Sequence, residues 1–320
     1  MNAFPSQIHL HYGKVLMNTQ HLNKAKVQFE LYAQKNPNDL IAKQAVQSIN
    51  NVKKWRTVKR PFRIDTLSGI NTPYAEFCAV PFQKGIVFTS DREIDHYNDK
   101  SFNWTGNPYL SLYKSSRLSR DPKQFGYPEY FSNRIKSDYH DGPISFDKKQ
   151  IKAFYTRVKN ENSFKEYTNR MKIYSSRWNG KNWIDETDYS INSDNYSVGH
   201  PNYDVERDRL YFSSDMPGGF GGMDIYYIQK TKDGWSNPIN LGKQINTSGN
   251  EVFPTTQGDK LYYSSNGISG YGGLDLFQST ILEEKHTTPI NLKAPINSGA
   301  DDFGMSFISN EEGYFSSNRP

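Results

Sequence analysis

Ile245-Asn246-Thr247 opens a stretch that runs through Glu251-Val-Phe-Pro-Thr-Thr, Lys260-Leu-Tyr-Tyr-Ser-Ser-Asn, a glycine-rich turn and Leu274-Asp-Leu-Phe-Gln-Ser. The runs are short, aromatic and β-branched, and Gly, Asn and Asp separate them, which is the composition of strands joined by tight turns. The opening phrase recurs as Ile70-Asn71-Thr72, Ile135-Lys136-Ser137, Ile191-Asn192-Ser193 and Ile296-Asn297-Ser298. The isoleucines are 65, 56, 54 and 51 residues apart, close to the ~40 to 50 residue period of propeller blades.

A second marker keeps step with the first. An aromatic residue or pair runs into small hydroxyls at Val87-Phe88-Thr89-Ser90, Phe154-Tyr155-Thr156, Tyr211-Phe212-Ser213-Ser214, Tyr262-Tyr263-Ser264-Ser265 and Tyr314-Phe315-Ser316-Ser317. Within one blade the Glu251 run is then strand a, the Lys260 run strand b and the Asp275 run strand c. Strand d of the preceding blade is Pro238 to Asn246. Residues 61–70 match that d pattern with no blade before them, so a mainly β fold of five blades is predicted, the last completed by this N-terminal strand. Its strands a and b would be the Asp302 and Gly313 runs. Strand c would lie beyond Pro320, so the propeller (56–320) is expected to lack one strand here.

Residues 1–55 read as helices. Tyr12, Val15, Leu16, Leu22, Ala25, Phe29 and Tyr32 fall at helical spacing up to Asn36-Pro37-Asn38-Asp39, and a third helix follows through Ala42, Val46 and Ile49. Gly13, Leu16, Ala25, Phe29 and Pro37 give this segment a resemblance to a tetratricopeptide repeat, with His9 in place of its tryptophan. A single such repeat cannot bury its apolar face alone, so further repeats before Met1 or docking onto the propeller are expected.

The 320 residues carry a net charge of +5 and a mean hydropathy of -0.82. No apolar run approaches the ~18 residues of a membrane span. Residues 1–63 hold eleven Lys and Arg against Glu30 and Asp39, a net +9 that leaves the remainder at −4. A basic helical segment suits anionic partners or a solvated face, and no nucleic-acid motif accompanies it. The single Cys78 excludes an internal disulfide and reads as a buried small hydrophobe.

Catalytic motifs are sparse. Gly-x-Ser-x-Gly, His-Glu-x-x-His and Cys-x-x-Cys do not occur, so no cofactor or zinc is expected. The turns Gly218–Gly222 and Gly270–Gly273 precede strands led by Asp224 and Asp275. Gly219, Gly222, Gly270 and Gly273 are expected at positive φ, with each aspartate accepting turn N–H groups; calcium in these oxygen-rich turns is the alternative. Trp183 and Trp235 sit in c–d turns that superficially resemble the Asp-box of sialidases, a folding motif. One constellation remains: Arg92, Arg157 and Arg319 close strand b in blades 1, 2 and 5, where blades 3 and 4 carry Asp215 and Asn266. A basic sector receiving a partner's carboxylate or phosphate is one reading, and salt bridges to neighbours such as Asp91 or Asp147 the other.

Tyr196-Ser-Val-Gly-His-Pro, Leu210-Tyr-Phe-Ser-Ser-Asp-Met-Pro-Gly-Gly-Phe-Gly-Gly-Met-Asp-Ile-Tyr and Trp235-Ser-Asn-Pro-Ile-Asn-Leu-Gly are more specific. They are similar to the WD40-like, TolB-type propeller of OmpA-family cell-envelope proteins. In that family tetratricopeptide repeats precede the propeller and a peptidoglycan-binding OmpA-like domain follows, as in PorE-like components of the type IX secretion and gliding apparatus. The resemblance implies a periplasmic, outer-membrane-associated scaffold without enzymatic activity. A PorP/SprF-type outer-membrane protein would be a partner, and peptidoglycan would be reached only through the OmpA-like domain that these residues lack. The alternative is a glycan-binding or glycan-cleaving propeller, lectin-like or sialidase-like.

Overall fold

A computed structural model describes residues 5–55, 61–94, 100–119, 121, 123–159, 169–283 and 285–319. It opens with three helices, α1 (Ser6–Asn18), α2 (Leu22–Lys35) and α3 (Leu40–Trp55). Strands follow in antiparallel sheets, each read outward from its first strand. Blade 1 is β1 (Glu76–Phe82), β2 (Gly85–Ser90), β3 (Ser111–Ser116) and β4 (Glu129–Tyr130). Blade 2 is β5 (Asp141–Phe146), β6 (Lys152–Lys159), β7 (Arg170–Trp178) and β8 (Trp183–Asp188).

Blade 3 comprises β9 (Val198–Asp204), β10 (Arg209–Ser214), β11 (Asp224–Thr231), β12 (Gly234–Trp235) and β13 (Ile239–Asn240). Blade 4 comprises β14 (Glu251–Gln257), β15 (Lys260–Ser265), β16 (Asp275–Leu282), β17 (Lys285–His286) and β18 (Ile290–Asn291). A two-stranded sheet, β19 (Asp302–Phe307) and β20 (Gly313–Ser317), comes last. The arrangement is a β-propeller with four complete blades and three helices.

Five complete blades are therefore not seen, and residues 61–70 do not supply the predicted strand. Among the described residues that segment makes one bridge, Ser68 to Gln124 in parallel. The reason is geometric: a d strand pairs with strand c, and among the described residues no strand lies between residues 61–70 and β20. The predicted d strand over 238–246 also shortens to Ile239–Asn240, which pair with Tyr227 and Tyr226.

The first strands β1, β5, β9, β14 and β19 pack on one another in a closed cycle. Each carries a bulge at the same place, where two residues face one on the neighbouring strand. The first bulge residue has a left-handed backbone every time: Cys78 (φ 51), Gly142 (φ 110), His200 (φ 56), Phe253 (φ 54) and Gly304 (φ 62). Glycine is the usual occupant of such a bulge, so Cys78, His200 and Phe253 hold a strained conformation. Their side chains fill the middle of the ring: His200 stacks on Phe253 with centroids 3.9 Å apart, and Phe253 lies 4.9 Å from Phe303. About 50 Å³ remains there. Burial pushes the Cys78 thiol pKa up, away from thiolate chemistry.

The helices bury Leu10, Leu16, Met17, Leu22, Ala25, Phe29 and Tyr32 together. Gly13 lets α1 cross α2 closely, since a Cβ there would meet the Phe29 ring at 2.7 Å. Tyr12 and Val15, expected on the inner face, are 49% and 57% exposed; the buried stripe runs through Leu10, Gly13 and Met17 instead. Tyr271, from the b–c loop of blade 4, enters the helical cluster, 5.5 Å from Trp55. Gly270 N donates to Ser48 Oγ at 3.3 Å and Gln20 Nε2 to Tyr271 O at 3.2 Å.

His200 gives this interior a pH signature. Burial pushes its pKa down to about 3, whereas an unfolded histidine titrates near ~6.5. Below that value the unfolded chain binds a proton that the folded one refuses, so stability falls by about 1.4 kcal/mol per pH unit from this group alone. Asparagine tolerates the left-handed backbone, so His200→Asn is expected to flatten the slope of stability between pH 6.5 and 4.5, read by urea unfolding. Parallel slopes for the two proteins would refute this.

Candidate functional site

The repeated phrase is a fastening device, and the three arginines belong to it. Its isoleucines are buried at Ile70, Ile135, Ile191, Ile245 and Ile296. The hydroxyl residue that follows binds a carboxylate four positions on. Thr247 donates N–H and O–H to Glu251 at 2.7 Å each, Ser298 N donates to Asp302 at 2.6 Å, Ser137 N to Asp141 at 2.6 Å and Thr72 N to Glu76 at 2.9 Å. Ser193 has Ser197 at that spacing, and blade 3 has no such pair.

These carboxylates lead their inner strands and are buried; Asp141, Glu251 and Asp302 are fully covered. Arg92 meets Glu76 at 3.0 Å, Arg157 meets Asp141 at 2.7 Å, and Arg319 meets Asp302. The same guanidinium groups donate to the carbonyls of Ile70, Ile135 and Ile296. Arg157 also reaches Glu186 at 2.8 Å. Each arginine is thus committed inside its own sheet, and Asp91 and Asp147 are not its partners. Strand pairing also corrects the alignment: Arg157 faces Asp141 as Ser90 faces Glu76, Ser265 faces Glu251 and Ser317 faces Asp302, while Arg92 and Arg319 stand two residues later.

The glycine turns differ from expectation in one respect. Gly219, Gly222, Gly270 and Gly273 do not have positive φ; close approach demands them. A Cβ on Gly219 would meet Asp224 Oδ2 at 2.5 Å, and one on Gly270 would strike Asp275 Oδ2. At Gly222 and Gly273 it would strike Asn250 and Asp301, which reach across from the next d–a loop. Asp224 Oδ2 accepts Phe220 N–H at 2.6 Å and Asp275 Oδ2 accepts Tyr271 N–H at 2.8 Å. Burial pushes Asp275 up to about 8 despite those donors. No group of three metal-ligating side chains occurs among the described residues.

The concavity with ligand-like chemistry lies elsewhere, in a cleft of about 780 Å³ between blades 1 and 2, at the ring face that carries the a–b and c–d turns. Gln150 ties the walls together, accepting Gln83 N–H at 2.7 Å and donating to Pro81 O at 3.2 Å. Phe82 and Trp178 are half-buried in the cleft, and Phe131 and Trp183 are buried behind them. The rings touch in series: Phe82 to Phe131 at 5.4 Å, Phe131 to Trp183 at 5.4 Å, Trp183 to Trp178 at 5.6 Å. Lys84, Lys114, Arg134 and Lys181 line the opening, with Glu129 held by Lys114 at 3.2 Å, and Tyr127 stands 82% exposed at the rim. Trp183 was the one member singled out from sequence, as part of a turn motif; four separate segments make the rest.

No family model matches the chain, and no curated protein does. Among solved structures it is similar to an endo-arabinase from Bacteroides thetaiotaomicron, at 12% identity over 81% of this chain and 98% of that one, TM-score 0.45. It is similar to an α-L-arabinofuranosidase from Lactobacillus brevis, at 9% identity over 78% and 85%, TM-score 0.45. A puromycin-hydrolyzing peptidase from Mycobacterium tuberculosis matches at 12% identity over 73% of this chain, TM-score 0.39, and the chain spans 33% of that protein's length. These are hydrolases rather than envelope scaffolds, and the expectation of a non-enzymatic scaffold does not stand. At such identities and TM-scores their activities are not carried over to this chain.

Removing one partner of a buried ion pair strands the other, at about 3 to 5 kcal/mol. Arg157→Leu is expected to lower unfolding free energy by that amount in urea titration, and Arg157→Leu with Asp141→Leu to recover part of it. A loss below about 1 kcal/mol, the range of exposed pairs, would show that the guanidinium is free for a ligand.

Proposed function

We propose that this chain is a carbohydrate-handling propeller, a five-membered ring in which β19 and β20 form the fifth blade, and that the cleft between blades 1 and 2 receives an acidic saccharide. The observation that carries this is the composition of that cleft: an aromatic floor under a rim of four cations and one carboxylate. Sugar rings present flat C–H faces that lie against aromatic side chains, and polar groups at the edge fix orientation. A uronic carboxylate matches the Arg134 fork and the lysine ammonium groups. The cleft volume falls in the ~300 to 1,000 Å³ range of ligand sites. The recurrence of the inner-strand bulge in β19 supports counting that sheet as a blade.

The resemblance at Tyr196–Pro201 and Leu210–Tyr226 supports a periplasmic setting at the outer membrane, which is part of the proposal. An antibody to the chain should then find it in the outer-membrane fraction of its own cells, and recovery from the cytosol would defeat that part.

The central test is retention on immobilised polygalacturonate and alginate, with neutral arabinan alongside and reducing ends measured in the same mixtures. Binding of the acidic polymers is expected, weakened about ten-fold or more by Arg134→Ala with Lys181→Ala, since charge-assisted contacts are each worth ~1.5 to 3 kcal/mol. Tyr127→Ala should weaken it through lost stacking. These three side chains are exposed, so the fold is expected to survive. Unchanged retention by the Arg134 and Lys181 variant, or none by the native chain, would overturn the reading.

A further inference from the structure

The cleft between blades 1 and 2 has two unlike ends. Strand order runs outward from the axis, so the a–b turns that carry Gln83 and Gln150 lie inside, and the c–d turns that carry Tyr127 and Lys181 lie at the rim. The inner end is shut. Phe82 and Phe146, the last residues of the inner strands β1 and β5, meet there with centroids 4.7 Å apart. The Gln150 carboxamide joins the same two turns, its oxygen accepting Gln83 N–H at 2.7 Å and its NH2 donating to Pro81 O at 3.2 Å.

Both turns are rigid at this point. Gln83 and Gln150 have left-handed backbones, φ 50 and 55, which glutamine adopts at a cost in energy. Asp147 fixes the second turn: its carboxylate accepts Ile151 and Lys152 N–H at 2.8 and 2.7 Å, and its carbonyl accepts Gln150 N–H at 2.9 Å. Asparagine tolerates that backbone better but is one methylene shorter, so reach is what glutamine supplies. Other a–b turns are linked too, Arg207 Nη1 donating to Gly258 O at 2.9 Å and Gln257 Nε2 to Ser309 O at 3.0 Å. Closure toward the axis thus recurs around the ring, and between blades 1 and 2 it becomes the end wall of the cleft.

The rim is different. Tyr127 and Arg134 on blade 1 and Lys181 on blade 2 are exposed. The hydrogen bonds of the two cations run within their own turns, Arg134 N to Ser132 Oγ at 3.2 Å and Lys181 N to Asn179 Oδ1 at 3.0 Å. Among the described residues no hydrogen bond or ion pair joins these three side chains across the opening.

We propose that the cleft takes the end of an acidic polysaccharide chain and not an internal stretch, and that Gln150 is the residue that sets this selectivity. The inference rests on the saccharide reading of the cleft. A chain entering at the rim passes Lys181 and Arg134, lays its rings over Trp178 and Phe82, and stops at the Gln150 bridge. An internal stretch would have to continue past that bridge, where the inner strands are packed. The volume of about 780 Å³ suits a short terminal segment, being that of an ordinary ligand pocket.

Competition against a fluorescent galacturonate hexamer separates the two modes, with unlabelled hexamer and polygalacturonate compared per mole of chain. An end site finds one such terminus on either competitor, so the two should agree within about two-fold, whereas an internal site finds many overlapping positions on a polymer of roughly a hundred units and favours it by more than about ten-fold. Gln150→Asn removes the bridge while keeping the aromatic and cationic lining, and should shift the ratio about five-fold or more toward the polymer. Its Tm checks that the ring still folds, and Gln150→Ala gives a second reading. A polymer favoured in proportion to its length by the native chain overturns the inference and leaves the saccharide reading standing. An unchanged ratio in both folded variants overturns the assignment to Gln150. No binding of the labelled hexamer or of either competitor defeats the saccharide reading, and the inference with it.

Discussion

Every edge of a β-sheet must find partners for its N–H and C=O groups, and the rest of this molecule follows from how that demand is met. The outermost strands are too short to do so alone: β13 and β18 have two residues each, and β12 and β17 are separated from them. A continuous fourth strand occurs in blade 2, where β8 has six residues. Asparagine side chains take over where the strand fails. In Ile245-Asn246-Thr247 and Ile296-Asn297-Ser298 the isoleucine is buried, the amide bonds the backbone N–H and C=O of Ile225 or Leu276 in the blade just finished, and the hydroxyl binds the acid of the sheet about to begin. Three consecutive residues therefore couple neighbouring blades, which is why the phrase recurs with the blade period.

The buried acid at the start of the inner strand shows how one local problem takes several solutions. Hydroxyl and backbone donors suffice for Glu251, whose carboxyl is pushed up by burial. Asp141 has Arg157, and burial still raises its carboxyl against the pull of that guanidinium. Blade 3 uses Val198 and has no acid to satisfy there. A buried ion pair and an apolar residue are close in net stability, because desolvation offsets most of the Coulomb gain. The blades can therefore differ at this point while keeping one backbone, so an arginine in three of five repeats marks acids that need neutralising and is poor evidence for a binding sector.

Strand order and boundaries were legible because alternation, turn residues and the phrase all report local geometry: the runs beginning at Glu251, Lys260, Asp275, Asp302 and Gly313 are strands as read. Other features depend on distant partners and left no local signal. Arg92 finds its acid 16 residues back and Arg319 17 residues back. The glycines at 219, 222, 270 and 273 were visible, but their reason was not, since steric crowding by Asp224 or Asn250 has no trace in the turn sequence. Tyr12 and Val15 fit a helical period and still face outward, because periodicity gives a stripe and not the side on which the partner helix lies. The cleft draws on residues from 82 to 183, so only the assembled ring brings Phe82, Arg134 and Trp183 together.

The same inner bulge that repeats around the ring decides where ligands can go. A left-handed residue turns its side chain out of the strand's alternation, and in β1, β9 and β14 those side chains are Cys78, His200 and Phe253, packed into the axis. The ~50 Å³ left there is well below the ~300 Å³ of a small-molecule site. On the b–c loop face the helices sit on blade 4 through Tyr271. The cleft between blades 1 and 2 stays open at the rim, aromatic at its floor and cationic at its edge. Filling the axis thus moves recognition outward, to places where the repeat is imperfect.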